Sequence, residues 1–438
     1  MTMERSKVTV DRQLARWLVP GLGVKRWLIL MITGMALIGL GIGYVMVQLY
    51  RNVEVPDIFY YITLQFMDRW IRAVVVGSLG ITSFVFGFYF FIQSILRSVR
   101  TPNDRPILDK LWEQRIAAAG PKIVAIGGGH GLSALLRGIK KHTTSITAIV
   151  TVADDGGSSG RLRRELGVLP PGDFRMCIAA LADDESMVTQ LFQYRFGSGA
   201  GLSGHSFGNL FIAALAELTG SFERAVVESS KVMAIKGRIV PSTLQDVTLC
   251  AELIELPKSG NAITRTPVRG ESSIGKAGYP IERVWLEPND PPPFPDAVKA
   301  ILDADIVVMG PGSLFTSVMP NLLVPGILQA LRQTSAKRIY VANVATERGE
   351  TDRFSLDDHL KALEAHIGHG VIDIVIANNH ISPVFQPPTG VDMVLPEPSL
   401  HYSTAQVVLA DVTDDEHPWR HDSQKLAAVV MSLVNQTA

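Results

Sequence analysis

The run Lys122-Ile123-Val124-Ala125-Ile126-Gly127-Gly128-Gly129-His130-Gly131 decides the fold class. Its apolar start reads as a buried strand and its glycines as a sharp turn. Leu132, Leu135, Leu136 and Ile139 then recur at helical spacing. A strand passing through such a turn into a helix is the opening unit of a parallel α/β sheet. Glycine there lets the backbone approach a ligand, and a helix N-terminus offers N–H groups to an anion. The spacing departs from G-x-G-x-x-G, so this run alone does not name the ligand, and a tight turn without one is the other reading.

Downstream the same alternation continues. Strands are expected at 146–152, 247–254, 281–286, 306–309, 339–344, 372–376 and 407–412, with helices from about 174 to 235 and a last helix over 423–434. The predicted architecture is a Rossmann-like, mostly parallel sheet with helices on both faces. Ligands of open α/β sheets bind at the carboxyl ends of the strands, so the loops there supply the candidate site. After the second strand comes Asp154-Asp155-Gly156-Gly157-Ser158-Ser159-Gly160-Arg161. Its carboxylates suit Mg²⁺ or ribose hydroxyls, and its serines and Arg161 suit phosphate; a solvated turn with a serine cap is the bland reading. Asp173 and Arg175 open a helix, where Asp173 is equally a cap. His205 and Asn209 precede a long apolar helix; His205 is a phosphate contact, an acid/base group or a packing residue. Gly310-Pro311-Gly312-Ser313 repeats the first turn at a later strand end. Two such turns in one sheet suit a ligand with an extended polar backbone, such as a diphosphate. Asn343 and Arg348 leave the next strand, with Glu347 or Glu350 as loop-ordering partners; surface ion pairs are the alternative for these charges. The G-x-S-x-G elbow, the P-loop lysine and H-E-x-x-H are all missing, which favours binding or metal-assisted transfer at a diphosphate.

The 438 residues carry 41 basic and 42 acidic side chains, a balance that gives no nucleic-acid footprint. Two cysteines, Cys177 and Cys250, rule out a disulfide framework and fit a reducing compartment. The mean hydropathy of +0.21 is high, and the excess lies near the N-terminus. Residues 27–50 and 73–96 are free of charge, and each run exceeds the roughly 20 apolar residues that span a bilayer core. A cleaved signal peptide is the alternative for the first, but its apolar run is long and no small-x-small site follows. Basic residues flank the pair on its outer sides, so the positive-inside rule places both termini and the main domain in the cytoplasm of a plasma (inner) membrane protein. Gly39 and Gly43 form one GxxxG, a packing face for the two spans or for a dimer. The expected domains are an N-terminal segment 1–26, a two-helix anchor 27–96, a linker 97–120 with a short amphipathic helix near 108–118, and the ligand-binding domain 121–438.

The stretches 122–131, 151–161, 205–210 and 310–320, in this order, resemble the YvcK-like gluconeogenesis factors, relatives of CofD, the 2-phospho-L-lactate transferase. The likeness covers roughly residues 121–435. It implies a Rossmann-like fold, binding of a nucleotide-diphosphate sugar such as UDP-N-acetylglucosamine, and a part in cell shape, envelope synthesis and growth on gluconeogenic carbon. The transferase relatives imply an alternative, Mg²⁺-dependent phospholactyl or phosphoryl transfer, with Asp154, Asp155 and Asp173 as metal ligands. The first turn reads Gly-Gly-His-Gly where Gly-Gly-Thr-Gly is common, and the soluble members lack the anchor. A homo-oligomer and cell-envelope proteins are the further expected partners.

Overall fold

The computed structural model describes residues 66–99, 120–182, 187–199, 201–255, 264–381, 388–396 and 405–435, with scattered positions between 33 and 64. Two compact units divide the chain, Met1–Asp104 and Arg105–Ala438. In the first, helix α1 (Arg69–Val99) contains one stretch, Arg69–Phe90, long and apolar enough to cross a membrane, and it is not buried. Among the described residues it is the one helix that meets this test unbroken. Of the first apolar run of the sequence, residues 33, 35–39, 41–45, 47 and 48 are described and helical while the others lie outside the described residues, and the expected helix near 108–118 lies wholly outside them.

The second unit is built on seven parallel strands in the order β10-β9-β8-β7-β1-β2-β3. They are β1 (Ile123–Gly127), β2 (Ile146–Val150), β3 (Arg238–Pro241), β7 (Ile306–Met309), β8 (Lys337–Val341), β9 (Ile374–Asn378) and β10 (Gln406–Ala410). From β1 the chain steps outward through β2 to β3, then returns to the other side of β1 and steps through β7 to β10. The order therefore reverses between β1 and β7, which pair in parallel from Ile123↔Ile306 to Ile126↔Met309. Right-handed crossovers leaving in opposite directions put helices on opposite faces, and the loops above the two strands separate into a crevice. Strands β1, β2, β7 and β9 are buried at every residue, as a sheet covered on both faces requires.

Helix α2 (Gly129–Ile139) buries Leu132, Leu135, Leu136 and Ile139, the periodic set seen in the sequence. It is followed by α3 (Gly157–Leu166), α4 (Gly172–Leu181), α5 (Met187–Gln193), α6 (Phe207–Thr219) and α7 (Phe222–Val232). Strands β4 (Thr248–Glu255), β5 (Thr264–Arg269) and β6 (Ile281–Glu287) form a separate antiparallel sheet, with the short helix α8 (Glu271–Ala277) between β5 and β6. Charge pairs cross its strands, Arg265 with Glu282 and Arg283 with Glu252. The expected parallel sheet is present, but β3, β5 and this second sheet were not anticipated. Helix α9 (Pro295–Leu302) leads back to β7. A π-helical turn (Leu314–Val318) and α10 (Met319–Leu322) follow β7, then α11 (Pro325–Gln333), α12 (Leu356–Ile367) after β8, and α13 (Ser423–Asn435) after β10.

A candidate ligand cavity at the reversal of the sheet

A cavity of about 760 Å³ opens above β1 and β7. The turn after β1 lines it with Gly128, Gly129, His130 and Gly131. Gly129 has φ +61, a left-handed conformation that glycine adopts without steric cost. The turn after β7 enters from the other side with Gly312 and Ser313. The two turns interlock: a Cβ on Gly131 would collide with the Pro311 carbonyl and the Gly312 Cα. Gly127 and Gly310 end their strands beneath the cavity, the Gly127 carbonyl accepting from the Asn321 amide at 3.1 Å and the Gly310 N–H donating to the Ile126 carbonyl at 2.8 Å. Gly127, Gly310 and Pro311 thus build the site without lining it.

Asn343 lines the cavity at 6% exposure. Its Oδ1 accepts from the Gly312 N–H at 3.3 Å, which fixes the amide's orientation, and its Nδ2 has no partner. A buried donor left unpaired is costly, so this one is available to a ligand. Arg348 also lines the cavity, as do Arg137 and Arg420. Burial, with the positive field of Arg420, Arg175 and Arg137, depresses the His130 pKa, so this imidazole is neutral near pH 7.

Opposite these cations stand carboxyl groups. Asp173 accepts from the Gly129 N–H, yet burial and the neighbouring Asp154 raise its pKa to about 7. Burial also raises Asp154, whose Oδ1 accepts from the Gly156 N–H at 2.8 Å and which is further bonded to Ser159. Glu271 enters from α8, and burial together with Asp154 and Asp173 lifts it to about 8. Asp155 is directed elsewhere, accepting from the Ser272 N–H at 2.8 Å and so docking α8 on the acidic turn. The three carboxylates expected to hold a metal therefore do not converge, and among the described residues no three His, Cys, Asp or Glu do. The pair Asp154 and Asp173 remains, and Mg²⁺ at nucleotide sites commonly takes one or two carboxylates plus phosphate oxygens. The donor set fits that form.

The other predicted residues sit behind the cavity. Gly156 and Gly157 shape the entry to α3. The Ser158 hydroxyl lies 2.9 Å from His205 Nδ1 and accepts from Asn209 Nδ2 at 3.1 Å, while Asn209 Oδ1 accepts from Arg175 Nε at 2.9 Å. Ser158, His205 and Asn209 are each at most 4% exposed. This chain ties α3, α4 and α6 together, with Arg161 bonded to the Ser203 carbonyl at 2.8 Å. Glu347 and Glu350 do order the loop: Glu347 is bonded to Ser313, and Glu350 accepts from the Thr316 hydroxyl at 2.8 Å.

Several lining residues were not singled out beforehand. Arg137 was legible, because His130, Ala134 and Arg137 recur at helical spacing on the face of α2 that lines the cavity. Trp419, Arg420 and His421 follow β10 at a strand's carboxyl end, the place where the strand rule points. Glu271 arrives on α8, between two strands of the second sheet, and no pattern near the glycine turns announces it.

The sequence pattern of the family described as 2-phospho-L-lactate transferase CofD matches residues 123–389. A gluconeogenesis factor of Bacillus subtilis is 43% identical over 324 residues, covering 72% of this chain and 99% of that protein. A Nostoc relative, also named for gluconeogenesis, is 43% identical over 429 residues, covering 96% of this chain and 92% of its own. A crystal structure of a Bacillus halodurans protein of the UPF0052 family superposes with a TM-score of 0.63 at 40% identity, over 71% of this chain and 99% of that one. The chain belongs to the gluconeogenesis factor family, built on a CofD-type α/β domain.

Proposed function

We propose that this cavity binds a nucleotide-diphosphate sugar of the UDP-N-acetylglucosamine kind, and that the protein is a regulator of cell shape, envelope synthesis and gluconeogenic growth. The observation that carries the reading is the meeting of two glycine turns with the unpartnered Asn343 amide and three arginines around one cavity. An extended diphosphate matches backbone turns and guanidinium groups, which bind phosphate oxygens in pairs. A volume of about 760 Å³ suits a ligand larger than a bare nucleotide phosphate. Asp154 and Asp173 would hold a Mg²⁺ ion against the phosphates, where it neutralises their charge. The cell-shape and envelope roles rest on the family resemblance.

Anchoring at the plasma membrane, with both termini cytoplasmic, belongs to the same proposal. It draws on the uncharged runs 27–50 and 73–96 and on their basic flanks. Similarity to the Nostoc relative over 96% of the chain extends into these residues. Tethering would keep a sugar-nucleotide sensor close to envelope proteins that consume the same compound.

The test is calorimetric titration of the full chain in detergent, with and without Mg²⁺, against UDP-N-acetylglucosamine, UDP-glucose, GDP and a deazaflavin. Saturable uridine-sugar binding without product, weakened at least about 100-fold by Arg348→Ala, is the expected result. Binding of GDP and deazaflavin with turnover, the uridine sugars remaining silent, would transfer the protein to the alternative Mg²⁺-dependent transferase reading.

A further inference from the structure

One wall of the cavity is a hairpin, residues 411–422, that joins β10 to α13. Its arms close through the Asp422 N–H on the Val412 carbonyl at 2.8 Å and the Asp414 N–H on the Arg420 carbonyl at 2.9 Å. Its returning arm presents Trp419 and Arg420 to the cavity. Trp419 packs edge-on to His417 with ring centres 5.5 Å apart, and the Arg420 N–H donates to the His417 carbonyl at 2.8 Å. The outgoing arm carries Asp411, Asp414 and Asp415, like charges that would spread it apart.

Lys425, in the first turn of α13, meets that arm at three alternate residues. Its Nζ lies 2.9 Å from Asp411 Oδ2, 3.0 Å from the Thr413 carbonyl and 2.7 Å from Asp415 Oδ1, which uses all three ammonium protons. The Lys425 N–H donates to Asp422 Oδ1 at 2.7 Å, so the same residue is also bonded to the returning arm. We propose that Lys425 is a positioning residue that closes the hairpin and thereby holds Arg420 in place for the ligand. The ligand half of this inference rests on the nucleotide-sugar reading; the closing of the hairpin does not.

Lone ion pairs at a surface contribute little, but one cation shared by two carboxylates and a carbonyl forms a network. Lys425→Met in the full chain should speed hydrogen exchange at the amides of Asp414, Arg420 and Asp422, and weaken UDP-N-acetylglucosamine about tenfold. Lys425→Arg should restore both. If Lys425 acts through Arg420, its removal adds nothing to binding in an Arg420→Ala background, a non-additivity that a general loss of stability would not produce. Asp415→Asn, at an exposed position, removes one arm of the network without threatening the fold and should give a smaller change of the same kind.

Unchanged exchange at the three amides in Lys425→Met, or additive losses with Arg420→Ala, would overturn the inference. Should the wild type bind GDP instead, the cycle is run with GDP. Faster hairpin exchange with every nucleotide silent would retire the proposed ligand class and the ligand half of this inference, while leaving the closing of the hairpin by Lys425 in place.

Discussion

Gly131→Ala is expected to destabilise the α/β unit by about 3 kcal/mol, the upper part of the range for inserting an atom where none fits. The added Cβ meets the Pro311 carbonyl and the Gly312 Cα, which are backbone atoms and cannot rotate away. Both sides are fixed from below: the Gly310 N–H is bonded to Ile126 and the Gly127 carbonyl to Asn321. The turns must therefore part, and parting them disturbs the Gly312 N–H bond that orients Asn343. Ligand binding should fall with stability, but further, because the cavity is built from the two turns. Gly275→Ala is the control, since its Cβ would stand in open space on α8. It should be neutral or slightly stabilising, as alanine is preferred in helices. Thermal unfolding of the two variants decides the matter; equal melting temperatures would mean that the turns do not interlock.

The same contact explains what the sequence could and could not disclose. Each glycine turn was readable by itself, because strand, turn and helix follow one another within a dozen residues. The parallel sheet was readable for the same reason: each βα unit is local, and β1, β2, β7 and β9 are short, mostly apolar runs. That the turns touch depends on the reversal of strand order between β1 and β7, a relation between segments some 180 residues apart that no periodicity encodes. Ser158, His205 and Asn209 show the converse. Polar residues beside glycines looked like ligand contacts, but three of them satisfy one another in the interior. Strand β5, Thr-Arg-Thr-Pro-Val-Arg, escaped notice because it carries a proline and charges, as an edge strand does. With it went α8 and Glu271, the carboxyl group that completes the acidic wall.

That wall makes the unliganded protein lose stability as pH rises from 6.5 to 8. In the wall Glu271 is lifted from 4.5 to about 8 and Asp173 from 3.8 to about 7, chiefly by burial, and Glu350, which does not line the cavity, is lifted from 4.5 to about 8 as well. An acid with a raised folded-state pKa binds more protons folded than unfolded. Its contribution is complete below the unfolded pKa and is lost as pH climbs through the folded one. The slope is about 1.4 kcal/mol per pH unit for each such group across its window. At lower pH the effect is partly offset, because His421 is depressed from 6.5 to about 4 by burial, and charging it opposes the fold as pH falls through that range. Between pH 6.5 and 8 the acids act alone among these groups. Melting temperatures measured without ligand should therefore fall across this window, and Glu271→Gln should flatten the fall. A melting temperature that rises from pH 6.5 to 8 would refute the acidic wall as described. The ligand should follow the same titration. While these carboxyl groups are neutral, a diphosphate meets the arginines unopposed; once they ionise, it is repelled unless a divalent cation lies between. Without Mg²⁺ the affinity for a uridine-diphosphate sugar should drop over this interval, and Mg²⁺ should remove most of the drop.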